Sequence, residues 1–296
     1  MLKKVSWQKT VLALPAILFF LLFALGPMVV AIYFGFLEWD GLSKAKFIGF
    51  DNWVRMFNDS VAIKSIVLTI EMMIITWIIQ TPISMFLGIF LAGRQRYRAI
   101  FGLFYFFPLL FSAAAIGLIW LFILDPQFGL ANPIFSNLGI DFMVQNWLSN
   151  EKLAFITVAV VVSWQFIPFH TLLYQAGVQG IPDSIFDAAE VDGAKGITRF
   201  FYIILPQLKH TITTSTVLML TGALTYFDLI YVMTNGGPAN ETMILPLYMY
   251  KAAFSSNEIG YGSVLATILV FIGVVLSIIM LKFTGFDNME SQKEGA

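Results

Sequence analysis

Few residues of this chain could do chemistry, and most of those lie in apolar surroundings. Glu71 is the one Asp, Glu, Lys or Arg between Ser65 and Gly93, and Asp228 is the one between Thr211 and Thr234. His170 follows Pro168 in a stretch, Leu153 to Pro182, that holds none of these four residue types. Ionisable groups in such places are paired, hydrated or functional, and proton relay is the chemistry they could support. Glu71 and Asp228 read as structural groups at a water interface or a helix contact, and His170 as a hydrogen-bonded packing group. Two histidines and no cysteine are too few for a histidine or thiolate metal centre. The sequence shows no nucleophile or paired-acid constellation of an enzyme and no G-x-x-x-x-G-K-[ST] phosphate loop, so any ATP chemistry belongs to another chain.

A second set is suited to binding rather than catalysis. Ser163, Phe166, His170 and Tyr174 fall on one helical face around Pro168, with Trp164 and Gln165 beside them. Met219, Ala223 and Tyr226 share a face further along, near Thr221 and Asp228. An aromatic wall with a few neutral hydrogen-bonding groups suits a ligand with apolar faces and a hydrogen-bonding rim. With 30 Phe and 16% aromatic residues, the same side chains would serve equally well as packing against lipid or neighbouring helices.

The most ordered polar stretch is Asp187 to Pro206, DAAEVDGAKGITRFFYIILP. Pro182 and Asp183 mark a helix start, with Asp183 or Ser184 as N-cap and Asp187 near the acid position of a capping box. Ile185, Phe186 and Ala189 share one face, while the small Ala188 and Ala189 leave room for a partner's surface. Asp192, Gly193 and Ala194 stop that helix. A second helical stretch then runs to Leu205, and Pro206 restarts the chain as a new span. A protruding helix rigidly joined to two spans moves when they move, so a docking element is predicted here.

The elements that must position these residues follow from composition. Of 296 residues 58% are hydrophobic and 12% charged, and the mean hydropathy is +0.82, which excludes a soluble globular domain. A net charge of -1 gives no basic surface for nucleic acid. A spanning helix needs about 20 apolar residues, and six spans are predicted near 11–37, 65–93, 99–124, 153–180, 207–234 and 259–281, all within one membrane domain, 1–296. The loop 183–206 joins spans four and five. The first apolar run is too long for a secretory signal and is expected to remain as an anchor. With the N-terminus inside, the inner segments hold eleven Lys and Arg (Lys3, Lys4, Lys9, Arg94, Arg96, Arg98, Lys195, Arg199, Lys209, Lys282, Lys293), against six outside. The positive-inside rule therefore puts both termini and the 183–206 loop in the cytoplasm. Segments 38–62 and 125–152 are long enough for short interfacial helices, and Thr234 to Pro238, TNGGP, is a strong turn signal.

The pattern D-A-A-x-x-D-G-A, five residues, then F-x-x-I-x-L-P resembles the EAA motif of permease subunits in binding-protein-dependent ABC importers. Asp187 stands where that family usually has Glu, and Ala188, Ala189, Asp192, Gly193, Ala194, Phe200, Ile203, Leu205 and Pro206 match. T-N-G-G-P at Thr234 to Pro238, L-Y-x-Y-x-x-A-F at Leu247 to Phe254 and L-P-A-I-L-F at Leu14 to Phe19 are similar to the carbohydrate branch, the maltose and glycerol-3-phosphate type. The likeness covers nearly the whole chain. It implies an all-α integral membrane protein of the type I ABC importer permease fold, whose EAA helix is a cytoplasmic coupling helix seated in an ATPase cleft. It further implies a second, homologous permease subunit forming a heterodimer, a cytoplasmic ATPase dimer that uses ATP and Mg, an extracytoplasmic sugar-binding protein, and substrate contacts on spans four and five. An ion-gradient-driven secondary transporter is the competing reading, with Glu71 and His170 as its meagre relay.

Overall fold

The computed structural model describes residues 7–284 apart from Arg94. Lys3, Lys4, Arg94 and Lys293, which entered the charge comparison, lie outside the described residues. Helices α1 (Trp7–Phe20) and α2 (Gly26–Phe34) are joined through a π-helical turn, Leu21–Leu25. Strands β1 (Leu37–Glu38) and β2 (Lys46–Phe47) form an antiparallel pair with Leu37 opposite Phe47. Short α3 (Asp51–Asn58) precedes long α4 (Ser60–Leu91). Then come α5 (Arg96–Tyr105), α6 (Ala113–Ile123), the short α7 (Ala131–Asn137) and long α8 (Ala154–Gln179). The polar segment holds α9 (Asp183–Val191), α10 (Gly196–Arg199) and α11 (Leu205–Gln207). The chain continues through α12 (Lys209–Ala223), α13 (Asp228–Met233), α14 (Leu245–Tyr250) and α15 (Ile259–Thr284).

Among the described residues four stretches are continuous and apolar enough to cross a bilayer: Val11–Phe34, Ser60–Leu91, Ala154–Gln179 and Ile259–Lys282. They correspond to the predicted first, second, fourth and sixth spans. The predicted third and fifth spans are interrupted. In the third, a 3-10 turn at Phe107–Leu110 carries Pro108, and Phe111 turns extended at ψ 147. Ser112 then caps α6, its Oγ accepting from Ala115 N at 3.2 Å. In the fifth, α12 stops at Ala223 and α13 begins at Asp228, after Phe227 adopts φ -142, ψ -60. Pro168 removes one helical hydrogen bond, yet α8 runs through it unbroken. The carbonyl of Ile167 beside it accepts from Thr171 Oγ1 at 2.9 Å and from Ser84 Oγ at 3.2 Å, the latter tying α8 to α4.

The chain gathers into two compact units, Met1–Ile63 with Tyr248–Ile272, and Lys64–Leu247 with Gly273–Ala296. The first is organised around a polar cluster. Asp59 Oδ1 accepts from the amides of Val61 and Ala62 at 2.9 and 3.2 Å, capping the start of α4. Its Oδ2 accepts from the hydroxyls of Tyr248 and Tyr261, the latter at 2.6 Å. Arg55 forms a bidentate pair with Glu258 at 3.0 and 2.9 Å and lies 4.1 Å over the Tyr261 ring. Asn52 donates to the carbonyls of Leu37 and Gly35. At Gly260 the Leu37 carbonyl leaves no room for a Cβ.

In the second unit α4 carries a stripe of fully buried polar residues, Ser65, Thr69, Thr76, Gln80 and Ser84. Their spacing of four and seven keeps them on one face. Buried polar groups need partners, and this stripe finds several in the packed elements. Thr69 Oγ1 accepts from Leu245 N at 2.8 Å, Gln80 Nε2 donates to Tyr226 Oη at 3.4 Å, and Ser84 reaches α8 as above. Glycines allow close approach on α4 and α8. A Cβ at Gly88 would stand 2.5 Å from Tyr174 Cβ, and one at Gly177 would stand 2.6 Å from Thr211 Oγ1. The Thr234–Pro238 turn has positive φ at Asn235 and Gly236. It is tied down by Thr242 Oγ1 bonding Thr234 Oγ1 and the Gly237 carbonyl, and by Lys64 paired with Glu241 at 2.8 Å.

Candidate functional site

The D-A-A-x-x-D-G-A run is explained by one C-terminal capping motif. Helix α9 ends with Asp192 as its cap. Gly193 follows at φ +75, its N–H donating to Glu190 O at 3.1 Å, and Ala194 N–H donates to Ala189 O at 2.8 Å. Those two bonds are the Schellman pair, which needs a left-handed residue at the Gly193 position. A residue with a Cβ there costs about 1 kcal/mol or more. At the other end the structure corrects the expected start. Pro182 is the N-cap, with ψ 137, and Asp183 is the first helical residue; neither Asp183 nor Ser184 caps through its side chain. Proline fixes the entry angle without needing a donor, and Asp183 still adds a negative charge where the helix dipole favours it.

The faces of α9 are now assignable. Phe186 packs against the buried cluster of Tyr174, Val178, Ile204 and Leu208, which anchors α9 to the end of α8 and the approach to α12. Ala189 is 3% exposed, so its small side chain serves close packing inward and does not leave space for a partner as expected. Asp187, Ala188, Glu190, Asp192 and Gly193 are exposed. Among the described residues the side chains of Asp187, Glu190 and Asp192 have no hydrogen-bond or ion-pair partner. Apolar side chains stand out beside them: Val191 is 88%, Ile197 77% and Tyr202 76% exposed. Before Pro206 the helix widens into a π turn, Phe200–Ile204, which accommodates the missing proline N–H. Leu205 is half-buried and Pro206 exposed. A helix restarts around Pro206, in the first turn of α11, and Leu208 at ψ 0 separates that turn from α12, which begins at Lys209.

The aromatic set divides. Phe166 of α8 stacks on Tyr226 at 5.3 Å between ring centroids, 24° between planes, with Gln80 on the Tyr226 hydroxyl. Tyr226 lies in the break between α12 and α13, not inside a continuous helix as expected. Ser163 is fully buried, and its Oγ has no hydrogen-bond partner among the described residues. Thr221 bonds back to Val217 O at 2.7 Å. His170 Nδ1 lies 3.0 Å from Ser215 Oγ in a buried contact. Tyr174 is enclosed in the cluster under α9. Trp164 points elsewhere, edge-on to Trp120 at 5.5 Å in a groove of about 590 Å³ shared with Tyr105 and Pro168. Glu71 is exposed on α4, and Asp228 sits in the first turn of α13, where the helix dipole favours an acid. Gln80 was missed in the sequence, although the i, i+4 recurrence of Thr76, Gln80 and Ser84 is a readable signal.

A helical, multi-pass membrane protein with a capped polar helix between long apolar segments defines the class. Comparison with known proteins then places it: residues 80–284 match the binding-protein-dependent transport system inner membrane component family, and the chain belongs to that family. It is 32% identical over 269 residues to the probable ABC transporter permease protein YurN of Bacillus subtilis, covering 90% of this chain and 92% of that one. The multiple sugar-binding transport system permease protein MsmF of Streptococcus mutans is 32% identical over 283 residues, covering 94% and 95%. The arabinooligosaccharides transport system permease protein AraP of Bacillus subtilis is 30% identical over 274 residues, covering 92% and 86%. In structure the chain resembles one in a bacterial alginate ABC transporter crystallised with an alginate pentasaccharide-bound periplasmic protein, with a TM-score of 0.81, 20% identity and 94% of each chain covered. That likeness establishes the fold.

Proposed function

We propose that this chain is one of two homologous permease subunits of an ATP-driven, binding-protein-dependent sugar importer, with oligosaccharides as its cargo. The observation that carries the reading is the surface around α9: an anchored helix with a left-handed glycine cap, exposed side chains of Asp187, Glu190 and Asp192 that have no partner among the described residues, and exposed apolar side chains. A partner protein would bury such a surface, and the partner is a cytoplasmic ATPase dimer that uses ATP and Mg. Asp187, Ala188, Asp192, Gly193 and Ala194 form the contact or its cap, Ala189 fixes the helix inward, and Leu205 and Pro206 pass its motion to the following span. The chain is one membrane domain with six spans, both termini cytoplasmic, and the third and fifth spans are the interrupted ones. Broken helices are tolerated in a bilayer where they face protein or water, which fits a path past Phe166, Tyr226 and Gln80, with Ser163, Trp164, His170, Tyr174 and Thr221 behind or beside it. The names of the relatives, which include sugar and arabinooligosaccharide systems, support the substrate class.

Uptake of labelled oligosaccharide by cells carrying the complete system tests this. Transport should stop when ATP is depleted and continue when proton and sodium gradients are collapsed. The opposite pattern would establish the ion-driven alternative, for which His170, bonded to Ser215, and the outward-facing Glu71 provide no connected relay.

A further inference from the structure

A cavity of about 650 Å³ opens beside α9, lined by Arg98, Arg199, Gln95, Gln179, Asp183 and Phe186 among others. Neither arginine has an ion-pair partner among the described residues. Arg199 lies flat over Phe186 at 4.3 Å. Arg98 lies over Phe90 at 4.7 Å, donating to the Phe90 carbonyl and, through Nε at 3.3 Å, to Tyr97 Oη. Guanidinium groups stacked on rings keep in-plane N–H donors for a bidentate anion. Asp183 also faces the cavity but has an interaction of its own. A second groove of about 390 Å³ shares Arg98, Gln95 and Gln179, adds Arg96, and runs along α5 past Leu103 and Phe106. Leu103 is 75% exposed.

Depth narrows the ligand. The cavity lies at the last turns of α4 and α8, and the ends of bilayer-spanning helices fall at the level of lipid phosphates. A polar end with three arginines against one carboxylate, continuous with an apolar groove, matches a phosphate headgroup with an acyl chain behind it. We infer that this double pocket binds an anionic phospholipid, its phosphate held by Arg98 and Arg199 and its chain lying along α5. Phe186, which anchors α9, forms one wall, so an occupied pocket would brace that helix against the spans. The choice of the cytoplasmic leaflet rests on the proposed orientation; lipid binding itself does not.

The test is native mass spectrometry of the full-length chain in detergent, titrated with phosphatidylglycerol, phosphatidylcholine and inorganic phosphate in separate arms. One phosphatidylglycerol should be retained per chain where phosphatidylcholine is not, and Arg199→Gln should weaken retention about tenfold, as loss of a charged, two-pronged contact does. Arg98→Gln should do the same, and Arg199→Gln covers the case in which loss of the Phe90 contact unfolds it. Equal retention of both lipids, or full retention by Arg199→Gln, overturns the proposal. Inorganic phosphate binding alone and displacing the lipid overturns the lipid assignment. Because no transport is read, failed sugar uptake alongside intact lipid binding would count against the importer reading alone.

Discussion

Two polar regions of this molecule handle their charges in opposite ways. Around Asp59 each major group has an internal partner: two tyrosine hydroxyls and two amides converge on one carboxylate, and Arg55 forks onto Glu258. Around Gly193 the acids are exposed without described partners, and Val191, Ile197 and Tyr202 put apolar surface into solvent. A group satisfied within its own chain stabilises that chain; a group left open at a rigid, capped helix is available to another. The difference separates a region that holds the fold from the region proposed to dock the ATPase, and substitutions test that divide.

The largest effect is expected at Gly193. A Gly193→Val variant must place a β-branched residue at φ +75, where strain of about 1–3 kcal/mol would shift or unwind the Schellman turn. Uptake should fall about tenfold to a hundredfold while the protein still inserts in the membrane at normal level. Normal uptake by a normally inserted variant would remove the cap from the coupling role. Asp187→Arg comes next. It leaves α9 intact, since the Asp187 side chain has no described partner, yet it reverses a charge on the surface offered outward. Substrate-stimulated ATP hydrolysis should drop about tenfold, on the scale of a mispaired interface charge. A change in thermal stability with unchanged hydrolysis would move Asp187 to the structural side of the comparison.

A smaller effect is expected along the proposed path. Tyr226→Ala removes the ring stacked on Phe166 and the partner of Gln80, interactions on the scale of about 1 kcal/mol. Measured uptake should show a KM raised several-fold with a modest change in maximal rate. An unchanged KM would leave the Phe166–Tyr226 stack as packing.

How much of this was legible in the sequence depended on how local the cause was. The D-G-A stop and the continuous spans were readable because turn chemistry and apolar length act within a few residues or one run. The cap at Pro182 was misplaced by one position because Asp and Ser advertise capping more loudly than a proline whose backbone does the work. The breaks at Phe111 and Phe227 carry local marks, Pro108 and Ser112 at the first and Asp228 after the second, but the length of the charge-poor runs around them outweighed those marks in the count of spans. The inward turn of Ala189 needed the packing of Phe186 on the Tyr174 cluster. The Asp59 cluster joins residues 189 and 202 positions apart, and the Arg98–Arg199 cavity joins α4, α5, α8, α9 and α10; no local pattern announces either.

The smallest effect on transport is expected at the satisfied region, where the readout is stability against pH. Burial raises the Asp59 carboxyl, but the Tyr248 and Tyr261 hydroxyls with the amides of Ala62 and Val61 outweigh it, and the group stays below its ordinary range. A carboxyl lowered in the fold favours the folded state above its unfolded value, about 3.9, and that contribution disappears as the pH falls through the folded value. Tyr248 is the mirror case. Burial first, then its bond to the Asp59 charge, pushes it up to about 12, so its contribution is complete below an unfolded value of about 10 and is lost as the pH rises through the folded one. Thermal unfolding of the purified chain should therefore be level through neutral pH and fall at both extremes. Asp59→Asn keeps the Oδ1 cap but removes the charged acceptor of the two tyrosine hydroxyls, which should lower the plateau by about 1–2 kcal/mol and flatten the acid limb; Tyr248→Phe should flatten the alkaline limb. Uptake per folded molecule should be unchanged in both. If either variant instead uncouples ATP hydrolysis at normal stability, the two regions do not divide the labour as their charges indicate.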